Sequence, residues 1–94
     1  MRMTAVLKLP DTLLHAQANA CLAQWVAQLP TALPAAVVVD ASALSAFDSS
    51  ALAVLLGLRR VLVQHGSALQ VQGMTPRLRE LASLYGVLDL LQPA

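Results

Sequence analysis

Charge is what this chain has least of. Asp, Glu, Lys and Arg together make up 12% of its 94 residues, about half of the ~25% usual in a globular chain. That scarcity, with 57% hydrophobic residues, excludes a disordered chain, which is rich in charge and poor in apolar side chains. Basic residues are equally sparse. Six Lys+Arg stand against five Asp+Glu for a net charge of +1. No basic cluster exceeds the pair Arg59–Arg60, so a nucleic-acid-binding face is excluded as well.

Long apolar runs are also missing. The longest, Ala51–Leu58, has eight residues including Gly57, well short of the ~18–20 that span a bilayer. Arg2 and Lys8 near the N-terminus are not followed by an apolar signal segment, so no secretory signal is expected. The single cysteine, Cys21, offers neither an internal disulfide nor metal-ligand spacing. The four glycines stand alone at 57, 66, 73 and 86, so there is no glycine-rich phosphate loop. The two histidines, His15 and His65, each fall at a predicted helix end, where a surface or dipole-complementing role suffices. No metal, no cofactor and no enzymatic activity is expected.

What is abundant is Ala, Leu and Val, at seventeen, twenty and ten residues. At this length they form one domain, residues 1–94, too small for two ordinary cores. So small a domain still needs a polar surface, so the apolar excess points to a cytoplasmic subunit with one face covered by a partner. Residues 4–9 read as a strand stopped by Pro10–Asp11. From Leu14 to Leu29 the apolar spacing of Ala18, Leu22, Trp25 and Leu29 predicts a helix, with Asp11 or Thr12 as its cap and Trp25 in the core. Pro30 and Pro34 bound a linker.

Ala35–Asp40 is a continuous β-branched run, expected as a central strand covered on both faces. A small-residue connection follows through Phe47. Asp48-Ser49-Ser50 then opens an apolar helix that His65-Gly66 ends at the left-handed cap position. Ala68–Gln72 alternates as a third strand. Thr75-Pro76 is an N-cap followed by proline at the first helical position, and Gly86 ends that helix. Val87–Leu91 reads as a fourth strand or a packed extended segment. The alternation predicts an α/β domain with a mixed, mostly parallel sheet of about three to four strands covered by three to four helices.

Candidate chemistry concentrates at one place. Asp48 or Ser49 serves as an N-cap. The exposed N–H groups and helix dipole there also suit a phosphate on Ser49 or Ser50. Asp40 and Asp48 bracket the same connection as a pair of carboxylates, but nothing else converges on them. The helix after Ser50 is apolar nearly all round its first two turns, more than the ~100° stripe a two-layer domain needs. Either an Ala/Leu-rich composition fills these positions harmlessly, or the turns around Leu52 dock on a partner with Arg59 and Arg60 as rim charges. Arg77 and Glu80 are read as an ordinary surface pair without a role.

The stretch Val37–Leu56, a hydrophobic strand followed by Asp-Ala-Ser and then by Asp-Ser-Ser-Ala-Leu opening a helix, resembles the signature of STAS domains. Leu69–Met74 and Leu81–Gly86 resemble the same family's third strand and following helix. Ala51 stands where the family often has glycine. The resemblance implies a small STAS-like fold and a non-enzymatic interaction role, with Asp48, Ser49 and Ser50 as partner contacts, to which the reading of the apolar helix as a docking surface adds Leu52 and Arg59. Two branches fit. In the MlaB-like branch the partner is the cytoplasmic ATPase of an ABC transporter for phospholipid, the domain lies at the inner membrane through that complex, and Ser49 is the contact hydroxyl. In the anti-sigma factor antagonist branch an anti-sigma kinase phosphorylates Ser49 or Ser50. The short length, the Leu-Ala-Ser-Leu-Tyr stretch at 81–85 and the helix start at Ala51–Leu56 favour the first.

Overall fold

The computed structural model describes residues 5–29 and 35–91. The linker bounded by Pro30 and Pro34, and Thr4 at the head of the first strand, lie outside them. The strands are β1 (Ala5–Lys8), β2 (Thr12–Leu13), β3 (Ala36–Asp40), β4 (Ala46–Phe47) and β5 (Ala68–Gln72). The helices are α1 (His15–Gln28), α2 (Ser50–Gln64), α3 (Pro76–Leu84) and the single turn α4 (Leu88–Leu91). Every strand pairing among the described residues is parallel. β1-β3-β5 form one sheet and β2-β4 a second, two-stranded one.

Period-two alternation decides which side chains enter the core. Leu7, Val39 and Val71 stand in one row across the main sheet, and Val37 beside Leu69 in the next. All five are buried and join one apolar cluster with α1 and α2. The opposite rows hold Val6, Val38 and Gln70, then Lys8, Asp40 and Gln72. Here Val6 and the two glutamines are exposed, and Val38 is half-buried. The expectation that Ala35–Asp40 is covered on both faces therefore does not hold among the described residues. β3 is central because strands flank it on both edges, and its unbroken β-branched run reflects that position rather than a second helical layer.

α2 is the hub of the packing. It lies against α1, β5 and α4, which is why Ala51, Leu52, Val54, Leu55, Leu58 and Leu62 are all buried. Each fully buried Leu here contributes about 1.5–3 kcal/mol relative to exposure. The breadth of apolar surface on this helix is thus used inside the domain. Where α1 crosses it, a Cβ on Gly57 would stand 2.9 Å from Leu22 Cδ2, so glycine permits the close approach. Trp25 is in the core as expected.

Two further departures concern the ends. Val87–Leu91 is neither strand nor extended segment but the turn α4, with Leu91 fully buried. Gly86, at φ +73°, closes α3 by turning the chain so that its N–H donates to Ser83 O at 3.0 Å and the Val87 N–H to Ala82 O at 2.9 Å. That reversal aims Leu91 into the core. Gly66 ends α2 in the same way. At the start of α3, Thr75 Oγ1 accepts the Leu78 N–H at 3.3 Å and Pro76 follows, a cap worth about 1 kcal/mol.

Gly73 carries the tightest backbone requirement. Its φ is +69°, and a Cβ there would meet Ser42 Cβ at 3.0 Å and Asp40 Oδ1 at 3.2 Å. Replacement adds both left-handed strain and a clash with the turn that Asp40 closes. Gly73→Ala is therefore expected to lower stability by at least about 1 kcal/mol, read as a lower midpoint in urea unfolding; an unchanged midpoint would show that the turn yields freely.

Candidate functional site

The N-termini of α1 and α2 lie side by side because the two-stranded sheet puts them there. β2 runs into α1 and β4 into α2, with Thr12 opposite Ala46 and Leu13 opposite Phe47. Asp11 O strengthens the junction by accepting the Ser45 N–H at 2.9 Å and the Ala46 N–H at 3.0 Å. Asp11 and Thr12 are thus occupied upstream and neither caps α1. The formal cap position is Leu14, which has no side-chain acceptor. Gln17 Oε1 reaches back to the Leu14 N–H at 3.0 Å.

The missing cap comes from across the fold. Asp48 Oδ2 accepts the His15 N–H at 3.2 Å, and its Oδ1 accepts the Ser50 N–H at 2.8 Å. One carboxylate thereby serves the first residue of both helices. The Ser50 N–H bond holds its pKa below the usual carboxylate range, assisted by the Ser50 side chain and by His15. Ser50 Oγ lies 3.4 Å from His15 Nδ1, so this hydroxyl is turned toward α1. The Ser49 hydroxyl is different. Ser49 is exposed, and its side chain makes no cap bond or other hydrogen bond among the described residues.

Asp40 does not join this arrangement. Its Oδ1 accepts the Ser42 N–H at 2.9 Å, and bonding to Ser42 lowers its pKa, with Lys8 adding a smaller effect. The two carboxylates are each engaged by the backbone of their own turn. His65 Nδ1 donates to Val61 O at 2.9 Å, complementing the end of α2. Cys21 is half-buried, and burial pushes its thiol pKa up.

Next to Ser49 opens a groove of about 480 Å³ between the start of α2 and α3. Phe47, Asp48 and Ser49 form one wall, and Arg77, Leu84 and Tyr85 belong to the other. Arg77 does not behave as half of a surface pair with Glu80. Its guanidinium lies over the Phe47 ring, 5.3 Å from the centroid. Such a contact is worth about 0.5–1 kcal/mol at an exposed site. A second groove, about 720 Å³ between β1 and α1, has Lys8 and Cys21 as its only ionisable side chains among the described residues.

Of the five expected contact residues, the structure brings Asp48, Ser49 and Ser50 together. Leu52 is a correction. At 3% exposure it belongs to the core, because this face of α2 packs inside the domain. Arg59 is half-buried and lies about 15 Å along the helix from Ser49 at 1.5 Å per residue, outside the groove. Sequence reasoning missed His15, Arg77, Leu84 and Tyr85, which meet this site only through the fold.

The crystal structure of a sulfate transporter family protein from Wolinella succinogenes has the same architecture. The likeness has a TM-score of 0.76 at 14% identity, covering 94% of this chain and 70% of that one, and at that identity it shows the fold alone. No curated protein matches the chain in sequence. The class so defined is a small α/β domain with parallel sheets and, among the described residues, four helices. A family model described as "Mlab, STAS domain" matches residues 2–92, and the chain belongs to the STAS domain family. STAS domains mediate protein–protein interactions in transporters and in anti-sigma factor antagonists, and are in general non-catalytic. Among the described residues no helix is long and apolar enough to cross a membrane.

The lowered pKa of Asp48 fixes the sign of a pH test. Stabilisation by its two bonds is present above the unfolded value of ~3.9 and is lost as pH falls through the lower folded value. Asp48→Ala is expected to lower the urea midpoint at pH 7, with the gap to the wild type closing as pH is taken from about 4 toward 2. A gap that persists undiminished at about pH 2 would exclude a charged cap.

Proposed function

We propose that this domain is a non-enzymatic accessory subunit that binds the cytoplasmic ATPase of an ABC-type phospholipid transporter, and sits at the inner membrane through that complex. The observation that carries the reading is Ser49, an exposed hydroxyl with no hydrogen bond among the described residues. It stands at the head of α2 beside an open groove. Its neighbours explain why it is free to meet a partner: Asp48 caps both helices, and Ser50 faces His15. The family model's own description, which names the Mla branch, supports the choice of partner.

The same exposure supports a second reading, in which a kinase of the anti-sigma type modifies Ser49. The helix N-terminus would accommodate the phosphate locally, while a charge of about −2 beside the groove would oppose docking of an apolar partner.

Both readings give Ser49 the same sensitivity, and the partner separates them. Ser49→Glu is expected to abolish co-purification with the cognate transporter ATPase while leaving the far-UV circular dichroism unchanged. Undiminished co-purification of the variant would remove Ser49 from the contact.

A further inference from the structure

β1 ends the main sheet on one side, and the hydrogen bonds of its neighbour show which backbone groups that leaves over. The Leu9 N–H donates to Asp40 O at 2.9 Å, so Leu9 faces β3. Along a strand, the N–H and C=O of successive residues point to alternate edges. Leu7 therefore also faces β3, while Val6 and Lys8 turn their N–H and C=O groups to the outer edge. Among the described residues no hydrogen bond takes up these groups. The groove of about 720 Å³ opens along the same edge, between β1 and α1. Such an edge is a template for another strand, and two features make this chain's own β1 the strand that fits. The first is register. Set antiparallel about Leu7, two β1 strands place Val6 opposite Lys8 of a second copy at both ends, and every outward N–H and C=O finds a partner. Lys8 then meets a valine rather than a second lysine, and on its other side stands Asp40. The second is charge. A two-fold axis through this seam puts both helix layers on one side of the joined sheet and turns α1 toward its copy, where any charge would face its like. α1 contains no Asp, Glu, Lys or Arg. Its groove side presents Ala16, Ala20, Gln24 and Gln28 at steps of four, small or uncharged throughout.

We propose that two copies of this chain join through β1, pairing antiparallel about Leu7 into one continuous sheet, with the two α1 helices facing each other across the seam. Val6, 57% exposed in the single chain, is covered there by the aliphatic stem of the facing lysine. The seam shares no lining residue with the groove beside Ser49. The dimer thus leaves that groove open, and it stands or falls apart from the ATPase reading.

The experiment is sedimentation equilibrium of the full chain from micromolar concentration to about 1 mM, with amide hydrogen exchange measured at both ends of the series. The wild type is expected to pass from monomer to dimer, and the Val6 and Lys8 amides to become protected as it does. Two variants test the seam. Val6→Pro removes an outward N–H that the pairing with β3 does not use. Ala20→Glu sets two carboxylates against each other from an exposed position of α1. Both should keep the wild-type far-UV circular dichroism and weaken the dimer about tenfold or more. If Val6→Pro loses the fold, Ala20→Glu decides alone. A wild type that stays monomeric throughout would overturn the proposal. So would a dimer whose Val6 and Lys8 amides exchange as freely as in the monomer, or one that a folded variant leaves intact.

Discussion

One carboxylate determines how the two main helices begin. Each helix N-terminus carries a partial positive charge of about half an elementary charge, and setting two of them side by side is unfavourable unless an anion stands between. Asp48 is that anion, bonded to the His15 and Ser50 N–H groups. Its position is not free to drift, because β4 delivers it from a strand paired with the one that leads into α1. The small sheet and the shared cap are therefore one device. The sheet brings the ends together, and the carboxylate makes their proximity tolerable.

The surface chemistry follows from that device. In an ordinary N-terminus a serine at the position of Ser49 would fold its hydroxyl back on its own helix. Here Asp48 has taken that task, and Ser50 faces His15. Ser49 is left with an exposed side chain and no cap bond. Phe47, immediately before, carries Arg77 from α3. So a four-residue stretch from β4 into α2 ties the start of α1 to one end of α3, and the groove is the space those ties leave.

Much of this fold could be read from the residues. Alternation of Leu69 and Val71, the spacing of Ala18 and Trp25, Thr75–Pro76 and the glycines after α2 and α3 are local signals, and the elements formed where those signals stand. The losses are equally physical. A two-residue strand such as β2 or β4 is too short to show a period. The cap of α1 lies 33 positions away, and no local pattern announces an acceptor from another part of the chain. Leu52 failed as a surface residue because an apolar helix position says that the side chain is covered, without saying by what. Arg77 failed in the opposite sense, since an Arg and a Glu three apart look alike whether they face water, each other or an aromatic ring.

The apolar excess now divides into two unequal parts. In a domain this small the surface is large relative to the core, and net stability is a small difference between large opposing terms. Most of the excess is spent inside, because α2 packs on three elements at once and needs a wider stripe than a helix lying on a sheet alone. What remains outside is not spread evenly. Leu84 and Tyr85, its most exposed member and its aromatic one, sit together at the rim of the groove beside Ser49. Scattered exposed leucines need no explanation. A leucine and a tyrosine beside a held arginine and an uncommitted hydroxyl do, and coverage by a partner would remove apolar area from water while adding to stability by mass action.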